Sequence, residues 1–570
     1  MNINTCQNCK GEFVIDQDDF DFYAKINVPP PTFCPECRMK RRMNWRNVRS
    51  LYKRTCGLCQ KNLISMYPDD GAPVYCIECW NSDKWNRYEH KMQYDFSENF
   101  FAQLNKLFKK NPRPYKYAFG NLINSEYANY IKDNKNVYLS YSIVVGEDIL
   151  YSESLDKSKN SIDCYAAESI DGCSYNVDCE GNYNTHYAVK SEKCIDSYFI
   201  YDCVNCKNCC LSSNLRNQSY VFKNQKLEKE EYEKAVLELK LETYSGFENT
   251  KKIFDSMLVT DTIHKYAYVY SVENATGDYI HNVKNGKYIF NATESENVAY
   301  SMRILQNVKD SYDLQGVGAN VELVYDSVAA TQDTYKDFFC YITIQGSREC
   351  EYSIHLRNCA NCFGCVGLVN AQYCILNMQY TEEDYFVLVE KIKKHMNETP
   401  YVDKKGRVYR YGEFFPYEMS PFGYNETNAF DFFPITEEEA LEKGYNWTKK
   451  DKREYEVTID STNLPESIHD VKEEIVKEII SCPSGGDQRY QCTSAYQIRP
   501  EELAFYRSKK LPLPRSCPNC RHYKRLKYRN QPRLYKRECS NRCGKIFETT
   551  YTPDRPEKVY CEDCYQKEVL

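Results

Sequence analysis

The sequence contains no run of 18 apolar residues, so it lacks the feature that marks a membrane-spanning helix. Its first ten residues, Met1 to Lys10, also lack the apolar stretch of a secretory signal. The first cysteine pair begins at Cys6, before the point at which a signal peptide would be removed. We therefore expect a cytoplasmic protein that has no membrane partner.

Histidine is scarce, and the few that occur are scattered along the chain. The sequence also lacks a nucleotide-binding fingerprint, and no two carboxylates stand at a spacing that indicates acid–base catalysis. We therefore predict no catalytic residues and identify no small-molecule substrate, with an enzyme kept as an alternative. The eight histidines are His90, His186, His264, His281, His355, His395, His469 and His522.

An excess of positive charge is absent too, because 75 Lys and Arg stand against 81 Asp and Glu. What the chain does have is 30 cysteines and 52 tyrosines. Disulfide scaffolds are usually small secreted domains, whereas this chain has 570 residues and no export signal. Cysteines in CxxC pairs are then typical of thiolate zinc ligands, so we expect zinc rather than disulfides.

Residues 1–85 hold eight cysteines in four CxxC pairs. Each CxxC turn directs two thiolates at one ion, and a second turn completes a tetrahedron. The simplest pairing is sequential, and the alternative is a cross-brace in which the first pair joins the third. The sequential pairing predicts one site at Cys6, Cys9, Cys34 and Cys37, and another at Cys56, Cys59, Cys76 and Cys79.

A second copy of this pattern occupies residues 481–570. The gap from Cys9 to Cys34 equals that from Cys492 to Cys517, at 25 positions. The predicted ligands are Cys482, Cys492, Cys517 and Cys520, and then Cys539, Cys543, Cys561 and Cys564. Cys482 is the weakest of these predictions, because a longer loop replaces its CxxC turn. With thiolates only, all four Zn²⁺ sites should be structural.

A basic run follows the second CxxC of each copy, with eight Lys or Arg in 17 residues both times. Cations can neutralise phosphates and interleaved rings can stack on bases, so these runs predict a surface for RNA or DNA. The alternative is a solvated bridge between two metal sites. The candidates are Arg38, Arg41, Arg42, Trp45 and Arg46, and Arg521, Lys524, Arg525, Tyr528 and Arg529.

Between the two modules, short apolar or aromatic spots recur every 10 to 14 residues, separated by turn-forming Asn, Asp, Ser and Gly. Such spacing predicts a parallel β-helix-like solenoid, in which two spots per coil would give a rung of roughly 20 to 25 residues. The pattern closes twice with similar sequences, at Leu215–Tyr220 and Leu368–Tyr373, and a helix follows each closing. The middle is therefore predicted to be a duplication, with helices covering the last rungs.

Two cysteine groups inside this region have metal-like spacing. They could form an iron–sulfur or other metal site, or they could pack as a ladder of small buried side chains. The groups are Cys203, Cys206, Cys209 and Cys210, and Cys359, Cys362 and Cys365.

The predicted fold class is mainly β with short helices, a duplicated solenoid flanked by two double zinc-ribbon modules. The predicted units are a double zinc-ribbon module (1–85), an aromatic and basic connector (86–118), a first solenoid segment (119–225), a capping helix and linker (226–263), a second solenoid segment (264–380), a capping helix (381–400), an aromatic strap (401–480) and a second double zinc-ribbon module (481–570).

Two resemblances rest on these motifs. Phe13, Phe22-Tyr23 and the segment Cys34–Arg38 resemble a bacterial zinc-ribbon family described as a probable zinc-binding domain, which implies fold and metal only. The two CPxCR modules with the segment Ser420–Thr427 resemble a group of bacterial proteins without an assigned activity. Members of that group are sometimes labelled CaiB/BaiF CoA transferases, but no residue here supports a covalent acyl intermediate on an aspartate.

These observations leave three functions open. The first is a non-catalytic binding or scaffold protein that contacts RNA through the basic runs. The second is a protein–protein interaction or assembly module without nucleic acid. The third is an enzyme, either a β-helix enzyme, on an argument from fold alone, or the CoA transferase that the label implies.

Overall fold

The computed structural model describes residues 2–449 and 455–570 of the chain. The fold is mixed and strand-rich, with extended parallel sheets and short helices. Among these residues no helix is both long enough and apolar enough to cross a membrane. The helices are Gln17–Lys25, Pro35–Met43, Ile77–Trp80, Phe100–Lys110, Lys229–Glu238, Tyr244–Thr260, Glu382–Glu398, Asn428–Phe432, Glu437–Glu442, Pro500–Lys509, Pro518–Leu526 and Glu562–Val569.

A first parallel segment spans 118–226, and its strands pair in parallel with a shift of 12 positions. Tyr165 lies opposite Val177, and Ile200 lies opposite Ser212. Its strands are Ala118–Ile123, Asn129–Tyr138, Tyr141–Val144, Glu147–Leu150, Glu153–Asp156, Lys159–Ile162, Tyr165–Glu168, Val177–Glu180, His186–Val189, Tyr198–Tyr201, Lys207–Ser213 and Ser219–Phe222, closed by the antiparallel Gln225–Lys226.

A second parallel segment spans 269–379 and repeats at 12 or 13 positions, as between Phe290 and Met302 or Tyr312 and Tyr325. The predicted rung of 20 to 25 residues is therefore wrong: each aromatic spot belongs to its own repeat. The strands are Val269–Ala299, Met302–Leu305, Val308–Gly318, Val321–Glu322, Tyr325–Val328, Tyr341–Ile344, Arg348–Glu351, Ile354–Arg357, Ala360–Phe363 and Gln372–Ile375, closed by Met378–Gln379.

The backbone explains why Asn and Asp are so frequent in these segments. From Tyr130 to Lys223 every third residue has a positive φ, near 50° at most positions. Asn and Asp enter this left-handed region more readily than other non-glycine residues. A chain that turns after every three residues can complete one repeat in 12, which is shorter than the spacing of turns in ordinary strands suggests.

Small polar side chains fill the interior of each repeat. Ser152 Oγ donates to Leu150 O at 2.9 Å and accepts from Cys164 N at 3.0 Å. Cys179 Sγ likewise donates to the carbonyls of Val177 and Ala188, both at 3.4 Å. The cysteines with metal-like spacing are buried in such interior positions and belong to no group that could hold an ion among the described residues, which agrees with the packing ladder.

Two helices close the parallel segments in the same way. Tyr232 of helix Lys229–Glu238 meets Tyr220 with ring centroids 5.8 Å apart. Tyr385 of helix Glu382–Glu398 meets Tyr373 at the same distance. This placement agrees with the predicted covering of the last repeats, and the apolar face of each helix buries the edge that would otherwise be open.

The cysteine modules, named here by their cysteines, are the amino-terminal module (2–85) and the carboxy-terminal module (481–570). Each consists of two hairpins and short helices. The hairpins pair Asn2–Thr5 with Glu12–Ile15, Tyr52–Thr55 with Asn62–Ser65, Ile480–Ser481 with Ala495–Tyr496, and Tyr535–Glu538 with Ile546–Thr549. Further pairs join Val74–Tyr75 to Arg113–Pro114, Ile263–Lys265 to Lys558–Tyr560, and Tyr401–Val402 to Val408–Tyr409.

Each cysteine module packs against the parallel segment that lies farther from it in sequence. The amino-terminal module shares one core with the second parallel segment and with residues 401–447, and the carboxy-terminal module shares another with the first parallel segment. In the first core Trp45 is fully buried, with its ring 4.8 Å from Phe415 and 5.2 Å from Tyr341. The strap therefore packs between the module and the segment.

Candidate metal centres

Four groups of four cysteines converge in the described part of the chain. Within each group the ligand atoms all lie within 4.8 Å of one another. We call them tetrads 1 to 4: Cys6, Cys9, Cys34 and Cys37; Cys56, Cys59, Cys76 and Cys79; Cys482, Cys492, Cys517 and Cys520; and Cys539, Cys543, Cys561 and Cys564. The cysteines are grouped in sequence order, so the cross-brace alternative is wrong.

All four tetrads are built from a hairpin and a helix. In tetrad 1, Cys6 follows strand Asn2–Thr5, and the turn closes through a hydrogen bond from Cys6 N to Gly11 O at 2.9 Å. Cys34 is the residue that caps helix Pro35–Met43, and Cys37 lies in its first turn. The proline after Cys34 suits a first helical position, where no backbone N–H is needed. The same proline follows Cys517, which caps helix Pro518–Leu526.

The sulfur separations fit a tetrahedral metal centre. The Sγ atoms of Cys9 and Cys34 are 3.8 Å apart, and those of Cys543 and Cys561 are 3.6 Å apart. A tetrahedron with Zn–S bonds of about 2.3 Å has edges of about 3.8 Å. A disulfide needs about 2.05 Å, and all 30 cysteines are free.

One hydrogen bond recurs in every tetrad. The backbone N–H of the third cysteine, at the start of a helix, donates to the Sγ of the first cysteine. Such bonds favour a charged thiolate, and the helix amino terminus adds a favourable dipole. The four bonds run from Cys34 to Cys6 at 3.2 Å, from Cys76 to Cys56 at 3.4 Å, from Cys517 to Cys482 at 3.3 Å and from Cys561 to Cys539 at 3.4 Å.

The thiols of a tetrad differ in acidity. A hydrogen bond from the Cys492 thiol is the main cause that lowers the pKa of Cys482, to about 6. The Lys545 backbone lowers the pKa of Cys543 to about 7. Burial raises the pKa of Cys561 to about 12. Without a cation the tetrads thus hold both thiolates and thiols, and metal binding would release protons.

Four sulfur ligands leave no open coordination position and no group for acid–base chemistry. No histidine or carboxylate belongs to any tetrad in the described residues. Cys482, whose assignment was the weakest by sequence, is buried and lies 3.7 Å from Cys520. The chemistry of the donors is therefore that of a closed structural site.

The tetrads differ in their access to solvent. Tetrad 3 is buried at all four sulfurs, whereas tetrads 1, 2 and 4 each expose their second cysteine. The exposed residues are Cys9, Cys59 and Cys543. No pattern in the amino-acid sequence indicates this difference, because burial of tetrad 3 comes from packing against the first parallel segment.

The basic run of the amino-terminal module is not an exposed surface. Arg42 donates to Asp313 at 2.8 Å and to Asp326 at 3.0 Å, and Arg38 reaches Asp313 at 3.0 Å. Arg41 donates to Asp326 at 2.8 Å and lies, like Arg42, out of contact with solvent. Helix Pro35–Met43 therefore inserts its arginines into the second parallel segment.

The carboxy-terminal run repeats this arrangement on the first parallel segment. Arg521 and Arg525 both pair with Asp163, at 3.2 and 2.5 Å, and Arg529 pairs with Asp178 at 3.0 Å. Asp163 and Asp178 both have positive φ, as do Asp313 and Asp326. These four aspartates were missed by sequence reasoning, because at such positions aspartate is expected merely to form a turn.

The predicted nucleic-acid contacts therefore need correction. Burial removes most of these residues from the reach of a polynucleotide, since a phosphate contact requires a solvent-facing cation. Arg38, Arg41, Arg42, Trp45, Arg46, Arg521 and Arg525 are buried, and Arg529 and Tyr528 are partly buried against Asp178 and Asp255. Lys524 is the one candidate classed as exposed among these described residues.

No protein-family model matches this chain, and a search of curated proteins gives no match.

Proposed function

We propose that this chain is a non-catalytic zinc-binding scaffold protein, in which four structural zinc sites, each with four cysteine ligands, fix two cysteine modules against two β-solenoids. The observation that carries this proposal is the double role of two helices. Helix Pro35–Met43 holds two sulfurs of tetrad 1 at its start and three buried arginines on its next turns. Helix Pro518–Leu526 does the same for tetrad 3.

Zinc is the ion that the donors favour. Thiolate ligands in a tetrahedron select zinc or an iron–sulfur centre over magnesium, calcium or manganese. The separations between sulfurs leave room for one ion per tetrad. Each module would then be a double zinc ribbon, as in the bacterial zinc-ribbon proteins that its motifs resemble.

The parallel segments support the scaffold part of this proposal. Repeats that stack every 12 or 13 residues bury a continuous interior and leave a long outer face. The ends of both segments are covered by helices, so they do not extend by adding further copies. The outer faces would bind a protein partner, and the buried state of the arginines favours this partner over RNA or DNA.

The test is metal removal followed by hydrogen–deuterium exchange along the whole chain. Because the arginines reach the aspartates only when the helix ends are held, chelation should increase exchange around Asp163, Asp313 and Asp326 as well as in the modules. Increased exchange confined to residues near the sixteen cysteines would contradict the proposal. A partner recovered from cell extract should remain bound after nuclease treatment, whereas its loss with nuclease would favour nucleic acid.

A further inference from the structure

The two modules differ at one pair of equivalent residues, and the difference goes beyond the proposed scaffold role. Arg41 and Lys524 each stand seven positions after the third cysteine of their module. In the amino-terminal module Arg41 has two carboxylate partners, Asp326 at 2.8 Å and Glu413 at 2.9 Å. Among the described residues Lys524 pairs with no carboxylate, and its Nζ donates only to Ser516 Oγ at 3.0 Å.

Glu413 acts as an internal anion in the amino-terminal module. Besides pairing with Arg41, its Oε1 accepts from Thr32 N at 2.8 Å and from Thr32 Oγ1 at 2.6 Å. Glu413 is buried, and it comes from the strap, whose Phe414 covers the same site. The residue equivalent to Thr32 in the other module is Arg515, which brings another cation in place of a neutral hydroxyl.

At the corresponding place the carboxy-terminal module has a cavity of about 90 Å³. Five cationic side chains line it and only one carboxylate, that of Glu248. Its walls also include Tyr175, Tyr187 and Tyr244, so the cations face a partly apolar space. The cations are Lys251, Arg515, Arg521, Lys524 and Arg525.

Two of these cations have nitrogens without a partner. Arg521 is 4% exposed, and its Nη2 makes no hydrogen bond. The Nε of Arg515 is buried and unpartnered as well. Buried charged donors are costly when they are left unpaired, so the protein gains stability when an acceptor reaches them. Burial also lowers the pKa of Lys251, and the neighbouring Lys527 and Lys524 lower it further.

We propose that this cavity is an anion site that takes a phosphate group, in the place that Glu413 fills in the other module. A phosphate offers several acceptor oxygens and close to two negative charges at neutral pH. It can therefore satisfy Lys251, Lys524 and the free Arg521 nitrogen together, which one carboxylate cannot do. The group could arrive as inorganic phosphate or as part of a phosphorylated small molecule.

The experiment is a calorimetric titration of the metal-bound protein with inorganic phosphate, phenyl phosphate and acetate. We expect one site per chain for phosphate with a Kd of about 1 mM or lower. Tighter binding of phenyl phosphate would identify a phosphorylated molecule with an aromatic part as the source, because tyrosines line the cavity. Acetate should bind more weakly than either.

Lys524→Gln and Lys251→Gln should each weaken phosphate binding about tenfold or more, since each removes a charged donor. Lys536→Gln, in the same module but outside the cavity, makes the same change of charge and should bind as the parent protein does. Lys524 carries no ion pair, so its variant should keep the parent's melting temperature. The assignment would be overturned by no saturable phosphate binding, by acetate binding as tightly as phosphate, or by equal affinities in all three variants.

Discussion

Glu36 and Arg533 join the two ends of the chain, since the Arg533 guanidinium donates to the Glu36 carboxylate at 2.5 Å across 497 positions. Glu36 lies in the first turn of helix Pro35–Met43, beside tetrad 1, and Arg533 precedes tetrad 4. The amino-terminal and carboxy-terminal modules therefore touch directly. The four tetrads are parts of one assembly, with each module bound both to a parallel segment and to the other module.

The Glu36–Arg533 contact should be sensitive to acid. Burial tends to raise the pKa of Glu36, but hydrogen bonds from Arg533 and the charge of Lys40 outweigh it and lower the pKa. A carboxyl whose pKa is lowered by folding adds stability above its unfolded pKa and loses it as pH falls through the folded one. We expect Arg533→Ala to cost less than about 1 kcal/mol at neutral pH, because the pair is partly exposed.

Urea denaturation of the parent and Arg533→Ala at several pH values measures this contribution. The difference between them should shrink as Glu36 becomes protonated. A difference that grows toward low pH would contradict the assignment. Lys536→Ala, an exposed neighbour, is the control and should change stability by less than about 0.5 kcal/mol.

Arg42 should be among the most important residues for stability outside the tetrads. It pairs with Asp313 and Asp326 out of contact with solvent. Breaking a buried pair by removing one partner costs about 3 to 5 kcal/mol, because the other charge is left buried and alone. Arg42→Ala should therefore lower the free energy of unfolding by that amount, measured by urea denaturation.

Lys53→Ala, an exposed position of the same basic run, is the matched control and should have little effect. A loss for Arg42→Ala no larger than that of this control would mean that helix Pro35–Met43 does not insert into the second parallel segment in solution.

Asp163 should have the equivalent role in the other half. Arg521 and Arg525 both depend on it, so Asp163→Asn leaves two buried guanidinium groups short of charge. We expect a loss of about 3 to 5 kcal/mol in urea denaturation. Asp171→Asn, also in the first parallel segment but at its partly exposed surface, should be close to neutral. Equal stability of both variants would show that the carboxy-terminal module does not dock where the structure places it.

The metal ligands could be found from the sequence because zinc sites of this kind are local. Each CxxC turn carries two ligands, and the repeated distance between pairs fixed the grouping before any fold was known. Even Cys482, with its longer loop, occupies the place that the second copy predicted.

The burial of the arginines could not be predicted, because their partners are far away in sequence. Arg38 and Asp313 are 275 positions apart, and Arg525 and Asp163 are 362 apart. A basic run beside a metal site has the same composition whether it faces water or a buried aspartate. The length of the repeat was missed for another reason: a turn after every three residues needs a left-handed residue each time, which is rare enough in other folds to be discounted.

The cysteines outside the tetrads should tolerate serine. Cys179 Sγ donates to two carbonyls, and Ser152 occupies an equivalent interior position with a hydroxyl that also donates to a carbonyl. We expect Cys179→Ser to cost less than about 1.5 kcal/mol, because the hydroxyl keeps the hydrogen bonds. Cys179→Leu should cost more, since a larger side chain does not fit a packed interior.

Thermal denaturation of the two variants checks this expectation. A serine variant that unfolds, or that loses metal, would mean that Cys179 is a ligand instead of a packed side chain. Cys517→Ser provides the contrast, because it removes a proposed ligand of tetrad 3 and should lower the metal content by one ion per chain.

The most direct measurement is the metal content of the native protein together with the X-ray absorption spectrum of that metal. The proposal predicts four zinc ions per chain, each surrounded by four sulfurs at about 2.3 Å. Zinc below one ion per chain, or cysteines recovered as disulfides from the freshly isolated protein, would contradict it.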